Sequence, residues 1–272
     1  MKIQFHLDKL EVAFKKNEVL QNHLNTNDKF ESYEFLLVRN RTESNYKNNF
    51  DIYYIDGSKF GNLYFGSYNI NRQLIYISIT NENLYNDKFK YIVNLQEQLN
   101  LEFHQISRID FANDCNINAV NKFYKLLKNE DYDIIILNKS IKIDDNINDL
   151  LNISQGTRKN IHKFKSFYIQ NKEKGLVLNC YDKKKEIEDN NNAKSYILDH
   201  FNYKEVYRIE VRTNHHLLID SLNSLGFTDD YLYYIIINSI FDELYLLFEN
   251  LLNRLIRIKY KKDVYSLIDL LQ

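Results

Sequence analysis

Apolar and polar residues alternate with a period of two through much of the first half of the chain. Alternation of this kind is typical of strands that bury one face against a core. Aromatic and β-branched residues dominate these segments, and Asn and Gly residues separate them, which predicts an antiparallel sheet. The predicted strands span residues 1–15, 33–40, 50–56, 61–68 and 73–80.

Helical periodicity enters in the second half. Residues 87–99 and 117–128 repeat apolar side chains at helical spacing, and residues 227–256 predict one long buried helix or a helical hairpin. We therefore predict an α+β fold with antiparallel β-sheets, flanking helices and a C-terminal helical segment. The expected division is a mixed α+β domain over residues 1–215 and a helical segment over 216–272 packed on it. Further predicted strands span residues 104–116, 132–143 and 206–213, and residues 165–182 form a predicted hairpin.

The composition is that of an ordinary globular protein. The chain has 272 residues, of which 44% are hydrophobic and 27% charged, and its net charge is −1. Near-neutrality excludes a histone-like protein that binds nucleic acid through its overall charge. Two cysteines exclude a disulfide framework, so we expect a cytoplasmic protein. The longest apolar run, residues 231–241, is too short to cross a bilayer, and we predict no membrane segment.

The first candidate site is the segment Arg108-Ile-Asp110-Phe-Ala-Asn-Asp114. In a strand, Arg108, Asp110 and Asp114 share one face, while the alternate apolar residues face a core. Closely spaced carboxylates suit a hard divalent cation such as Mg²⁺ or Mn²⁺. A solvated sheet face with an Arg–Asp ion pair is the alternative, and this segment taken alone favours it.

A second segment, Val206-Tyr-Arg208-Ile-Glu210-Val-Arg212, repeats this pattern. Arg208, Glu210 and Arg212 share one face of the predicted strand. If the two strands are neighbours, Asp110 and Glu210 lie together. The carboxylates then hold a metal and the arginines bind phosphate oxygens. A ladder of cross-strand ion pairs is the alternative.

The third segment is Cys180-Tyr181-Asp182-Lys183-Lys184-Lys185-Glu186, which follows an apolar strand. A tyrosine beside lysines can attack phosphorus, because nearby cations favour the phenolate and also bind the phosphate. The chain has 22 tyrosines, so a packing role for Tyr181 is the alternative interpretation.

Charge is unevenly distributed around this third segment. Residues 158–185 contain nine basic residues and two acids, and aromatic residues interleave with the lysines. Such a hairpin is suited to contact DNA, although a solvated surface has the same composition. The predicted DNA contacts are Arg108, Arg208, Arg212, Lys163, Lys165, Lys172, Lys184 and Lys185.

Several other chemistries have no support. The sequence contains neither a P-loop nor a GxGxxG motif, and it has no Gly-x-Ser-x-Gly nucleophile elbow. His215 and His216 are adjacent, so a strand would direct their rings to opposite faces rather than to one metal.

In this order, RIDFANDC, NCYDKKKE and YRIEVR resemble the motifs of the replication initiation factor family of the Rep_trans type. Its members are rolling-circle replication initiators of plasmids, conjugative elements and phages. The family pattern is approximately R-x-D-x-x-x-D, then Y-[DN]-K-K-x-E, then R-x-E. The resemblance covers roughly residues 100–215.

The resemblance implies a role for each matched residue. Tyr181 would attack a DNA phosphodiester, become linked to the 5′-phosphate and leave a free 3′-hydroxyl. Asp110 and Glu210 would hold a divalent metal, with Asp114 as a further ligand, and Lys183 would sit at the scissile phosphate. The implied partners are origin DNA, as a hairpin or a single strand, together with a host helicase and a second copy of the chain.

Two other functions remain open from the sequence. The first is a sequence-specific DNA-binding protein on the same scaffold that does not cleave. The second is a structural or partner-binding protein in which all three segments are ion-paired sheet faces. Convergence of Tyr181, Asp110 and Glu210 in space separates both DNA-related functions from this second alternative.

Overall fold

The protein is described by a computed structural model. The residues that the structure describes are 3–42, 45–67, 73–141, 152–155, 164–171, 175–201 and 203–270.

The strands form two antiparallel sheets. The larger sheet has eleven strands in the order β10-β11-β12-β13-β7-β1-β6-β5-β4-β3-β2, and the smaller has four in the order β15-β14-β8-β9. The strands are β1 (Ile3–Phe14), β2 (Lys29–Glu31), β3 (Phe35–Arg39), β4 (Tyr46–Tyr54), β5 (Lys59–Ser67), β6 (Ile75–Ile79), β7 (Phe103–Cys115), β8 (Tyr132–Ile136), β9 (Lys139–Ile141), β10 (Asn152–Gln155), β11 (Phe164–Asn171), β12 (Leu176–Asp182), β13 (Tyr207–Asn214), β14 (Ile256–Tyr260) and β15 (Asp263–Tyr265).

The helices are short except near the C-terminus, and within the described residues none is long and apolar enough to cross a membrane. A 3₁₀ turn at Lys88–Tyr91 precedes α3. The α-helices are α1 (Glu18–Thr26), α2 (Asn81–Tyr85), α3 (Ile92–Gln98), α4 (Ala119–Leu127), α5 (Lys183–Asp189), α6 (Tyr196–His200), α7 (His215–Leu225), α8 (Asp229–Ile237) and α9 (Phe241–Leu255).

The chain divides into two compact units, and each is built from several pieces of sequence. Unit 1 contains residues 1–6, 110–221 and 242–272, and unit 2 contains residues 7–109 and 222–241. The boundary expected between residues 215 and 216 does not coincide with this division. Strands β1 and β7 each contribute residues to both units, so a single boundary in the sequence cannot separate the units.

One face of the sheet in unit 1 carries its apolar core. Helix α4 lies against β11, β12 and β13, and the Phe123 and Phe167 rings are 4.3 Å apart between their centroids. Phe111 of β7 stacks on Phe5 of β1 at 5.8 Å, and Phe248 of α9 packs against Phe5 at 5.5 Å. This burial leaves the opposite face of the same strands for polar side chains.

The structure confirms the α+β class and most of the predicted strands, including the antiparallel β11–β12 hairpin. Residues 227–256 form two helices, because the chain turns at Ser239, where φ is 54°. The C-terminal segment is largely helical, as expected, with helices α7, α8 and α9. It ends in β14 and β15, and Ile256 and Ile258 of β14 are buried at alternate positions.

Candidate active site

The polar face of unit 1 brings the second and third sequence segments together. Strands β12 and β13 pair antiparallel, with Tyr181 opposite Arg208 and Asn179 opposite Glu210. Directly opposed residues lie on the same face of a sheet. Strand β7, which carries Asp110, is hydrogen-bonded to the other side of β13. The prediction that the RID and RIE strands are neighbours is therefore confirmed.

Tyr181 and Glu210 make the central contact of this face. The Tyr181 hydroxyl donates a hydrogen bond to Oε2 of Glu210 at 2.9 Å, and Nε of Arg212 donates to Oε1 of the same carboxylate at 2.5 Å. The Glu210 side chain is 2% exposed, whereas that of Arg212 is 42% exposed. The site therefore combines a buried carboxylate with a phenol and a guanidinium that solvent reaches.

Asp110 belongs to the same cluster. Partial burial alone would lower the pKa of the Arg212 guanidinium, but the bond to Glu210 and the fields of Glu210, Asp110 and Tyr181 raise it. Asp110 itself is 3% exposed. We call Tyr181, Glu210, Arg212 and Asp110 the Tyr181 cluster.

The Tyr181 cluster supplies two buried carboxylates on neighbouring strands. Mg²⁺ is commonly held by one or two protein carboxylates, with water and substrate phosphate completing its shell, so this donor set fits such an ion. No group of three or more His, Cys, Asp or Glu side chains suited to a metal occurs within the described ranges. A cation at Glu210 has to share the carboxylate with Tyr181 or Arg212, or displace one of them.

Lys183 is buried rather than solvated. Asp182 caps α5 by accepting a hydrogen bond from the Lys185 amide at 3.0 Å, which fixes Lys183 in the first turn. Its Nζ lies 5.6 Å from the centroid of the Tyr181 ring and donates to Oε2 of Glu186 at 2.8 Å. The Lys183 side chain is 2% exposed, so its ammonium acts on the tyrosine at close range.

Asp114 and Arg208 form a separate buried network on the same strands. Arg208 Nε and Nη2 each donate to one Asp114 oxygen at 2.7 Å, and Nε2 of His6 lies 2.9 Å from Oδ2 of Asp114. Burial alone would raise the pKa of Asp114, but Arg208 and His6 hold it well below its usual range. We call these three residues the Asp114 triad.

The Asp114 triad bears on two expectations. Arg208 has no solvent exposure, so it does not lie on a surface that DNA reaches. Both Asp114 oxygens accept bonds from Arg208, so a metal at Asp114 would have to compete with this guanidinium. His6 completes the triad from β1, and its position 108 residues away from Asp114 provided no local sequence signal.

The remaining predicted DNA contacts fall into three groups. Arg108 is exposed on β7, two residues before Asp110, and Lys185 is exposed on α5. Lys184 Nζ donates to the backbone oxygen of Lys204 at 3.0 Å. The side chain of Lys165, on β11, lies outside the described structure. Lys163 and Lys172 also lie outside the described residues.

Tyr168 is the competing tyrosine on this face. It lies opposite Asn179, and Asn179 lies opposite Glu210. Tyr168 is therefore separated from Glu210 by one strand, whereas Tyr181 bonds to Glu210 directly. Tyr207 lies on the other face, where its hydroxyl accepts a hydrogen bond from Asn118 at 2.8 Å.

Comparison with known proteins gives a likeness of fold. No family model matches the chain, and no curated protein matches it. The structure of a rolling circle replication initiator protein from Geobacillus stearothermophilus aligns with 96% of this chain and 88% of that chain. The TM-score is 0.51 and the sequence identity is 14%. The two chains therefore share an α+β fold over nearly their whole lengths.

Proposed function

We propose that this protein nicks and rejoins one DNA strand at a replication origin, with Tyr181 as the nucleophile. The observation that carries the proposal is the 2.9 Å hydrogen bond from the Tyr181 hydroxyl to Glu210, beside the buried ammonium of Lys183. An acceptor for the phenolic proton and a cation near the ring are what a tyrosine nucleophile needs. The shared fold with a rolling circle initiator supports the same function.

The chemistry follows from these contacts. The Tyr181 oxygen forms a bond to phosphorus while the bond from phosphorus to the 3′ oxygen breaks. The phenolic proton passes to Glu210, which already accepts it as a hydrogen bond, and from there to solvent water, while the leaving 3′ oxygen takes up a proton from solvent water to become a hydroxyl. The 5′-phosphotyrosyl ester conserves the bond, so the reverse attack by a 3′-hydroxyl rejoins the strand.

Asp110 and Glu210 would hold a divalent cation, Mg²⁺ or Mn²⁺. Such an ion supplies charge stabilisation for the phosphoryl oxygens during transfer. Arg212 has a side chain that is 42% exposed beside Glu210, so it is placed to bind a phosphate oxygen of the DNA. A host helicase and a homodimer, the other partners predicted from the resemblance, stay predictions.

The proposal is tested by looking for a covalent protein–DNA adduct. The full chain is incubated with single-stranded or supercoiled DNA and Mg²⁺ or Mn²⁺, with a chelator as the control. We expect an adduct that maps to Tyr181, and we expect Tyr181→Phe to abolish it while DNA binding remains. The matched control is Tyr168→Phe, which should nick normally.

Three results would overturn the proposal. An adduct on Tyr168, or full nicking by Tyr181→Phe, would show that another tyrosine acts. Tight binding to DNA with no adduct under any metal condition would instead identify a non-cleaving DNA-binding protein.

A further inference from the structure

The two oxygens of the Glu210 carboxylate have different hydrogen-bond donors. Oε2 accepts the bond from the Tyr181 hydroxyl at 2.9 Å, and Oε1 accepts the bond from Nε of Arg212 at 2.5 Å. Oε2 is therefore the oxygen that faces the candidate nucleophile. A cation that binds Oε1 has to displace Arg212, but it leaves the contact between Glu210 and Tyr181 intact.

Arg212 is the exchangeable partner of this carboxylate. Its side chain is 42% exposed, whereas that of Glu210 is 2% exposed. An ion pair with one partner at the surface contributes little to stability, because water and other anions compete for the exposed group. The guanidinium of Arg212 can therefore leave Oε1 for an anion that arrives from solvent.

Arg212 also competes with a divalent cation for negative charge. The fields of Glu210 and Asp110 both raise the pKa of the Arg212 guanidinium, so this positive charge lies close enough to be stabilised by both carboxylates. These are the same two carboxylates that fit Mg²⁺ or Mn²⁺. Because like charges repel at short range, a guanidinium on Oε1 lowers the affinity of the carboxylate pair for a divalent cation.

A DNA phosphate competes with Glu210 for Arg212. The N–H groups of a guanidinium bind phosphate oxygens and carboxylate oxygens in the same geometry. A phosphodiester that Tyr181 attacks lies beside Arg212, since both side chains contact the Glu210 carboxylate. When Arg212 turns to the phosphate, Oε1 is released and Oε2 keeps its hydrogen bond from Tyr181.

We infer that Arg212 couples the binding of DNA to the binding of the metal, because it occupies Oε1 of Glu210 until a DNA phosphate binds its guanidinium. This inference rests on the proposed function, since the phosphate belongs to the strand that Tyr181 attacks. The coupling is reciprocal, so a bound divalent cation raises the affinity for DNA by the same factor. The site is then loaded with metal mainly in the complex with DNA.

The test measures binding of Mn²⁺ to the full chain with and without DNA, from the electron paramagnetic resonance signal of the free ion. The DNA is a single-stranded thymidine homopolymer, and a titration of the strand alone corrects for the ions that it binds. Wild type should bind Mn²⁺ about fivefold or more tightly when the strand is present, a common size for such coupling. Tyr181→Phe is titrated in parallel, so that the coupling is also measured without nicking.

The variant Arg212→Gln separates this coupling from simple attraction to DNA. It removes the positive charge from Oε1, so without DNA it should bind Mn²⁺ about fivefold or more tightly than wild type. Addition of the strand should then increase its affinity for Mn²⁺ less than it does in wild type. Glu210→Gln should bind Mn²⁺ weakly in both conditions, which shows that the titration measures this site.

The matched control is Lys185→Gln, which removes one positive charge from an exposed side chain of α5. It should weaken binding of the homopolymer and leave the affinity for Mn²⁺ without DNA unchanged. Thermal unfolding of each variant shows whether it is folded. The reciprocal measurement needs no substitution, because Mn²⁺ at fixed ionic strength should tighten binding of the homopolymer to wild type by the same factor.

The outcomes separate this inference from the proposed function. The inference is wrong if Arg212→Gln binds Mn²⁺ without DNA no more tightly than wild type, or if no variant binds Mn²⁺. Equal tightening by DNA in wild type and Arg212→Gln would assign the coupling to the phosphate itself and would also overturn it. If wild type forms no covalent adduct but Arg212→Gln shows both expected changes, the nicking function fails and the coupling through Arg212 stands.

Discussion

The Tyr181 cluster and the Asp114 triad are built from the same kinds of residues on the same strands, yet they differ in what solvent reaches. In the Asp114 triad, the Arg208 guanidinium and the Asp114 carboxylate are both fully buried and form an ion pair with each other. In the Tyr181 cluster, the Glu210 carboxylate is buried, but its partner Arg212 is 42% exposed at the side chain. The Asp114 triad is closed to solvent, whereas the Tyr181 cluster is open to solvent at Arg212.

This difference separates stability from chemistry. A buried ion pair with ideal geometry holds strands in place, because removing either partner leaves an uncompensated charge. A cluster with an exposed cation and a phenol can exchange its internal hydrogen bonds for those of a substrate. The segment Arg208-Ile-Glu210-Val-Arg212 therefore contains one arginine of each kind, Arg208 and Arg212.

The largest expected effect distinguishes the two networks by stability. Asp114→Ala should lower the free energy of unfolding by about 3–5 kcal/mol, because Arg208 is left buried without its partner. Glu210→Ala should cost about 1 kcal/mol, because Arg212 can be solvated. Denaturant unfolding followed by circular dichroism measures both. Equal losses of the free energy of unfolding in the two variants would show that the Asp114 triad and the Tyr181 cluster contribute equally to stability.

A second effect concerns acid stability. The folded-state pKa of Asp114 is lowered, so its contribution is complete above the unfolded pKa of about 3.9 and is lost as pH falls toward the folded value. Asp114→Asn should make the free energy of unfolding, measured by denaturant titration at several pH values, less dependent on pH below about 4. The control is Asp230→Asn, which removes an exposed carboxylate of α8. It should leave the pH dependence of the free energy of unfolding below about pH 4 unchanged.

The smallest effect extends the comparison to the lysines after Tyr181. Lys183 is buried with Glu186, whereas Lys185 is exposed beside the site. Charge reversal at Lys184 and Lys185 should weaken single-strand binding. It should also make the slope of log affinity against log salt concentration shallower by about 0.7 for each phosphate that the variant no longer binds.

The control for this last prediction is charge reversal at Lys261 and Lys262, which are exposed in a second basic run near the C-terminus, the C-terminal run, made of Arg254, Arg257, Lys259, Lys261 and Lys262. This variant should bind like wild type. A larger loss of affinity there than at Lys184 and Lys185 would move the DNA surface to the C-terminal run.

Local pattern was sufficient for much of the fold. The period-two alternation of β4 and β5 identified strands because each buries one face. Helix α1 was not predicted, since its apolar signal is limited to Leu20 and Leu24 with an Asn17 cap. The start of strand β14 merged with the predicted helix, because the five residues of IRIKY follow a long helical pattern without a break.

By itself, the sequence determined the α+β class, the two polar strand faces, and the tyrosine followed by lysines. These features depend on periodicity and residue type within a few positions, and both can be read from the sequence itself. Only the tertiary structure decided which charges meet. Arg208, Glu210 and Arg212 alternate onto one face alike, but Arg208 bonds to Asp114 of β7 and Glu210 accepts a bond from Tyr181 of β12. His6 and Asp114 enclose Arg208, whereas Tyr181 contacts Glu210. These contacts assign Arg208 to stability and Glu210 to the candidate chemistry.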